Sequence, residues 1–197
     1  MPGKKYLAEF IGAFLLTLAV SVSVKAGGAI PTPVVAGLAL GLGVYFVGGI
    51  SGAHFNPAIT IALAAMKKID WKTMCFYIAA QIAGAGLAIL VIQFLFGSAI
   101  DINNDNSKSI FLVEALGAFV LAFGVATVVQ KKVKEEMAGI VIGSSLLLGL
   151  TLTGGVSPGI LNPAVAVGLQ AMSATYLLAP VVGAIAAMFL YNWVANK

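Results

Sequence analysis

The sequence predicts an all-α membrane protein in which six transmembrane helices and two re-entrant half-helices form an inverted repeat. Three observations carry this prediction. The chain of 197 residues is 60% hydrophobic and only 9% charged, whereas a soluble domain carries roughly a quarter charged residues. Its apolar segments come in two lengths, one able to cross a hydrocarbon core of roughly 30 Å and one only half as long. Finally, residues 48–66 align without a gap on residues 154–172.

Taken in order, the first apolar run follows Lys4 and Lys5 and extends over 6–24. It is long for a signal-peptide core and no clean small-residue cleavage site follows it, so it reads as the first membrane span. Further spans are expected at 33–50, 73–96, 109–130, 137–154 and 174–194. The polar stretch Asp101-Ile-Asn-Asn-Asp-Asn-Ser-Lys108 is the clearest exposed loop and divides the chain near its middle. Two shorter pieces, 56–66 and 162–172, hold 11 residues each. As helix these cover about 16 Å, half a bilayer, so each must enter and leave on one side.

Counting both pieces as re-entrant sets the topology. Lys4, Lys5, Lys67, Lys68, Lys72, Lys131, Lys132, Lys134 and Lys197 then share one face, nine of the eleven lysines, leaving Lys25 and Lys108. That is the asymmetry of the positive-inside rule, and it predicts a multi-pass protein of the cell membrane with both termini cytoplasmic. The net charge of +4 is thus explained by short loops rather than by a nucleic-acid partner; the partner expected is membrane lipid.

The repeat is internal and inverted. GGISGAHFNPAITIALAAM and GGVSPGILNPAVAVGLQAM share nine of 19 columns at an offset of 106, and Glu9-Phe-Ile-Gly-Ala-Phe14 matches Glu114-Ala-Leu-Gly-Ala-Phe119 at an offset of 105. Each half holds three spans, an odd number, so the second is upside down relative to the first. The chain therefore reads as a single domain over 1–197, with its first repeat at 1–100 and its second at 107–197. The two half-helices enter from opposite faces and meet near the midplane.

Asn56-Pro57-Ala58 and Asn162-Pro163-Ala164 stand where the half-helices begin. Asn is a preferred N-cap and Pro suits the first helical turn. One such tripeptide is an ordinary helix start; two at matching places in an inverted repeat point to function. Two helix N-termini, each worth about half a positive charge, then face one midplane point and oppose cations. Each Asn can cap its helix and still offer a side-chain N–H to a passing solute oxygen, which favours neutral hydrogen-bonding solutes over ions. The backbone before each half-helix, Gly52-Ala53-His54-Phe55 and Pro158-Gly159-Ile160-Leu161, cannot be regular helix. At membrane depth such backbone is tolerated inside protein or beside a water-filled cavity, so Gly52, Ala53, His54, Pro158 and Ile160 are expected to line a pore.

These paired motifs, with the Ala8-Glu-Phe-Ile-Gly12 opening, resemble the aquaporin and aquaglyceroporin family along nearly the whole chain. The resemblance implies an aquaporin-like fold, a homotetramer with one pore per protomer, and passage of water or small uncharged solutes. It also implies that Glu9 and Glu114 brace the pore loops by accepting backbone N–H bonds. Without the family, an intramembrane carboxylate is equally a candidate proton relay. For His54 the family implies a place beside the pore or a brace within its loop. The filter positions implied are Ala36, Leu150, Gly159 and Val165.

Here the sequence departs from the family pattern. The arginine usual three residues after the second motif Asn is Val165, and the chain holds no arginine at all. The expected filter is apolar, uncharged and made of small to medium side chains, so solute oxygens lose a strong hydrogen-bond donor there. A wider pore admitting glycerol, urea, ammonia or peroxide is the preferred outcome; closure of Leu150 on Val165, gating by dewetting, is the other. Two alternatives of another class stand beside the channel. A secondary active transporter would need coupling-ion ligands, for which only Glu9 and Glu114 are available. A non-conducting structural protein would have a shut filter. No nucleophile–base pair, phosphate-binding loop or metal-ligand cluster marks an enzyme, and no cofactor is expected. Gly37/Gly41 and Gly139/Gly143 fit close helix contact, and Cys75 reads as a small packing residue.

Overall fold

The computed structural model describes residues 2–100, 102 and 106–195. Asp101 and 103–105 of the expected loop lie outside the described residues, as do Met1, Asn196 and Lys197. The helices are α1 (Pro2–Ala26), α2 (Thr32–Ser51), α3 (Pro57–Ala65), α4 (Trp71–Phe96), α5 (Lys108–Val129), α6 (Ala138–Thr153), α7 (Pro163–Gly168) and α8 (Ala174–Ala195), with a 3-10 turn at Glu135–Met137 leading into α6. No strand occurs among the described residues. Among the described residues six helices are long and apolar enough to cross a membrane; α3 and α7 are not.

The half-helices are shorter than expected. α3 has nine residues and α7 only six, about 14 and 9 Å of helix. Both end in a Schellman turn, but at different points. After α3, Lys68 N donates to Leu63 O and Lys67 N to Ala64 O, with Lys67 at φ 56°. After α7 the same pair of bonds runs from Ala171 N to Ala166 O and from Gln170 N to Val167 O, with Gln170 at φ 56°. In the repeat alignment this second stop comes three residues early. Residues 169–172, expected as helix, are instead a turn, and Leu169 O accepts from Ile102 N of the mid-chain connection.

Glycine sets how closely the spans approach. On α2, a methyl added at Gly37 would lie 2.8 Å from Gly143 O, and one at Gly41 would lie 2.8 Å from Gly139 O of α6. These are the two glycine pairs picked out in the sequence, and they face one another. Van der Waals packing through small residues is what drives helix association where lipid removes the hydrophobic difference. The same device joins α1 to α4, where Gly84 lies against Phe10 O, and α5 to α8, where Gly183 lies against Ala115 O.

The outer surface is apolar, as a lipid-facing surface must be, with Phe94, Phe46 and Trp193 among the most exposed side chains. The polar side chains turn inward: Glu9, Thr17, Thr60, Gln81 and Glu114 are fully buried. Lys5, Lys67 and Lys68 border one depression at one end of the bundle, and Lys25 reaches Ser98 Oγ, 2.9 Å away, at the other.

Candidate functional site

The site is built from the two loops that precede α3 and α7. In the first, Ala53 and Phe55 take φ of 51° and 48°; in the second, Gly159 and Leu161 take 71° and 54°. Three of these four are not glycine, and a left-handed backbone at such residues is strained by about 1–3 kcal/mol each. Two features hold it in place.

The first is a pair of buried carboxylates. Glu9 Oε1 accepts from Ser51 Oγ at 2.6 Å and His54 N at 3.0 Å, while Oε2 accepts from Phe55 N at 2.8 Å and Gln81 Nε2 at 2.7 Å. Glu114 Oε1 accepts from Ser157 Oγ and from Ile160 N, and Oε2 accepts from Leu161 N at 2.8 Å. Carboxylates are acceptor-only groups with room for several donors, and charge-assisted bonds are about twice as strong as neutral ones. Each therefore converts an irregular, buried run of N–H groups into a satisfied one.

The second is a pair of side-chain sockets. The Phe55 ring fills the space left by Gly12 of α1 and Gly43 of α2, and Leu161 fills that left by Gly117 of α5 and Gly149 of α6. A side chain at Gly12, Gly43 or Gly117 would displace the plug, and one at Gly149 would first meet Gly117 O at 2.5 Å. Phe55 and Leu161 are buried, at 1% and 0% exposure.

The tips of the half-helices are clasped together. Asn56 Oδ1 accepts from Ala58 N at 2.8 Å and so caps α3, while its Nδ2 donates to Leu161 O at 2.9 Å. Asn162 Oδ1 accepts from Ala164 N at 2.9 Å, and its Nδ2 donates to Phe55 O at 3.0 Å. Each amide nitrogen has two hydrogens. One spans the junction, which leaves the second uncommitted.

One cavity of about 380 Å³ runs past both tips. Its lining reaches from Thr32 at the start of α2 to Gly49 near its end, about 25 Å of helix. It includes Asn56, Asn162, the four positions expected to form a filter (Ala36, Leu150, Gly159 and Val165), and Gly52, Ala53, His54 and Ile160 from the loops. Pro158 is exposed and is not among its lining residues. Glu9 and Glu114 lie behind the loops rather than on the cavity wall. Among the described residues the one acidic or basic side chain in the lining, histidine aside, is Glu135, at the lysine-rich end with Tyr45; Tyr45 Oη donates to Glu136 O at 2.8 Å.

His54 stands on the cavity wall with its ring edge-on to Tyr77, 5.0 Å between centroids. Its Nδ1 lies 3.1 Å from Thr60 Oγ1. The single Thr60 proton goes to Asn56 O at 2.9 Å, so Nδ1 is the donor in that pair. In the neutral ring Nε2 is then left as an acceptor. Gly52, at φ 90°, has no side chain to crowd that nitrogen. Gly159 is hemmed in likewise: an added methyl would overlap Thr153 Oγ1 and lie 3.3 Å from Leu150 Cδ2.

Several partners escaped the sequence reading. Ser51 and Ser157 occupy an identical column of the repeat, a usable signal for the second donor on each carboxylate. Gln81 had no such signal, since it has no counterpart in the second half. Tyr77, whose hydroxyl donates to Ser51 O at 2.7 Å, does have one: it precedes Gly84 by seven residues, as Tyr176 precedes Gly183. Among the described residues no group of three or more His, Cys, Asp or Glu is placed to hold a metal ion.

Comparison with known proteins places this geometry in context. The profile of the family described as Major intrinsic protein matches residues 2–191. Nodulin-26 of Glycine max is 37% identical over 210 residues, covering 96% of this chain and 77% of its own. Aquaporin NIP1-1 of Zea mays is 35% identical over 210 residues, covering 96% and 74%. An X-ray structure of the aquaglyceroporin from Plasmodium falciparum superposes with a TM-score of 0.83 at 22% identity, covering 99% of this chain and 97% of that one.

Proposed function

The chain belongs to the major intrinsic protein family, and on that premise we propose that its pore has a wide, apolar filter that passes glycerol, urea, ammonia or peroxide as well as water. Membership makes it a multi-pass membrane protein and a passive channel for water and small solutes. The finer reading is supported by one observation above the others. The cavity that passes both Asn tips is lined in part by Ala36, Leu150, Gly159 and Val165, and none of these four is charged.

A solute at this filter meets aliphatic carbon and the loop backbone. Its hydrogen bonds are made at the junction, where Asn56 and Asn162 each keep one N–H, and along the carbonyls of the two loops. Cations are opposed there by the first-turn N–H groups of α3 and α7. Because α7 has six residues and α3 nine, the two contributions are unequal. A transporter would need several coupling-ion ligands near mid-depth; both buried glutamates are already held by the loops, and His54 on the cavity wall offers a single ligand. The protein is accordingly read as a channel without catalytic chemistry. We read it as one domain of two inverted halves, 1–100 and 107–197, assembled as a homotetramer with both termini cytoplasmic.

Stopped-flow light scattering on proteoliposomes, comparing water, glycerol, urea and ammonia, tests the filter reading. Linear, non-saturating flux of glycerol or urea well above protein-free vesicles is expected. Water flux with glycerol and urea fully excluded would overturn it.

A further inference from the structure

At the lysine-rich end, between the start of α1 and the turn joining α3 to α4, lies an open depression of about 630 Å³ that takes no part in the pore. We propose that it binds the phosphate-bearing headgroup of an anionic diacyl phospholipid. The inference stands apart from the solute selectivity of the channel.

Three lysines converge on it. Lys67 and Lys68 come from the Schellman turn that ends α3, and Lys5 comes from the first turns of α1. Lys5 Nζ is held by Thr73 Oγ1 at 3.1 Å and lies 5.3 Å and 5.8 Å from the Tyr6 and Tyr77 ring centroids. Among the described residues no carboxylate is paired with Lys67 or Lys68. The one acid at the site, Asp70, has both oxygens turned to the helix it caps: Oδ1 accepts from Thr73 N at 2.7 Å and Oδ2 from Thr73 Oγ1 at 2.9 Å. Those bonds, and the nearby Lys5, hold the Asp70 carboxyl below its ordinary range, so it stays anionic. Net charge in the depression is still positive.

What distinguishes a lipid from free phosphate is the surface that adjoins it. Trp71 borders the depression and is 74% exposed, the position of an interfacial aromatic anchor. Below it on α4, Cys75, Ala79, Ala83 and Leu87 recur every four residues and are all exposed. Residues four apart share a helix face, so a continuous apolar track of mostly small side chains descends from the charged depression. An acyl chain fits that track while the phosphate meets the lysines. Basic pockets at the cytoplasmic ends of membrane helices suit such headgroups.

The second basic turn of the same face supplies a matched control. Lys131, like Lys67, takes φ 56° at the end of its helix and is followed by Lys132. The test titrates full-length, detergent-solubilised protein with phosphatidylglycerol and, separately, phosphatidylcholine, reading retained lipid by native mass spectrometry. Asn accepts the left-handed backbone, so K67N/K68Q removes charge without straining the turn, and melting temperature reports its folding. We expect wild type to prefer phosphatidylglycerol, and K67N/K68Q to lose roughly 30-fold in that affinity at the usual attraction per lysine. K131N/K132Q should lose several-fold less than K67N/K68Q, because neither of its lysines borders the depression. D70N, which keeps the N-cap, should bind phosphatidylglycerol more tightly. Equal loss in K67N/K68Q and K131N/K132Q would overturn the proposal, leaving only a diffusely basic face. So would competition by inorganic phosphate or glycerol 3-phosphate at the lipid's own concentration, which would make the site one for soluble phosphate.

Discussion

Replacing Glu9 by Gln removes a charge but almost no volume, so its effect isolates the hydrogen bonds that hold the first pore loop. Four donors converge on this carboxylate: Ser51 Oγ, His54 N, Phe55 N and Gln81 Nε2. A glutamine can place its oxygen toward Ser51 and His54, but its NH2 then faces Phe55 N and Gln81 Nε2. Turning over the Gln81 amide offers its Oε1, which has no partner in the native arrangement, to that NH2, at the cost of the bond from Gln81 Nε2 to Thr60 Oγ1 at 2.9 Å. Phe55 N has no such escape. A buried donor left unsatisfied costs about 1–3 kcal/mol, and the bonds to Ser51 and His54 weaken by about 1 kcal/mol each once their acceptor is neutral. The expected loss is therefore about 3–5 kcal/mol, concentrated where Phe55 is already in a strained backbone conformation. Since Phe55 O also accepts from Asn162 Nδ2, displacement of the loop opens the clasp at the junction. Thermal unfolding of the purified protein and stopped-flow water permeability should fall together in E9Q. Unchanged melting temperature and permeability would refute the bracing argument. Lost solute uptake with unchanged melting temperature would instead indicate a proton-coupled role for Glu9.

Three further outcomes follow from the same geometry. Gly12→Ala should cost about 1–3 kcal/mol by overpacking the Phe55 socket, and adding Phe55→Leu, the smaller plug found at Leu161, should recover most of it; additive losses in a double-mutant cycle of melting temperatures would count against the socket. Val165→Arg should narrow the filter and lower glycerol flux several-fold while sparing water, measured on the same proteoliposomes; unchanged glycerol flux would remove Val165 from the filter. The same variant should also reduce proton leak, read with a pH-sensitive dye under an imposed gradient, because a fixed positive charge at a desolvated constriction adds to the barrier from the half-helix tips; leak equal in wild type and variant would show those tips to be sufficient.

Much of the architecture was legible from residue order. Span count follows from apolar length, because a bilayer admits only helices of a given reach. The inverted arrangement follows from the odd number of spans per repeat, and the packing glycines from their spacing. Boundaries were less visible. The early stop of α7 depends on a turn bond between Gln170 and Val167 and on a contact with Ile102 that no local pattern announces.

Residue order alone determined that Asn56 and Asn162 begin two short helices in opposed halves, because capping and length are local properties of a few neighbouring residues. Only the folded chain decided what those residues touch. Asn56 donates to Leu161 and Asn162 to Phe55, contacts across 105 and 107 residues, and Glu9 reaches 72 residues to Gln81, which has no repeat partner to betray it. The same holds for the pore wall. Ala36, Leu150, Gly159 and Val165 come from three separate segments, and their convergence on one cavity depends on how closely glycine lets the helices approach, a distance set by packing in three dimensions.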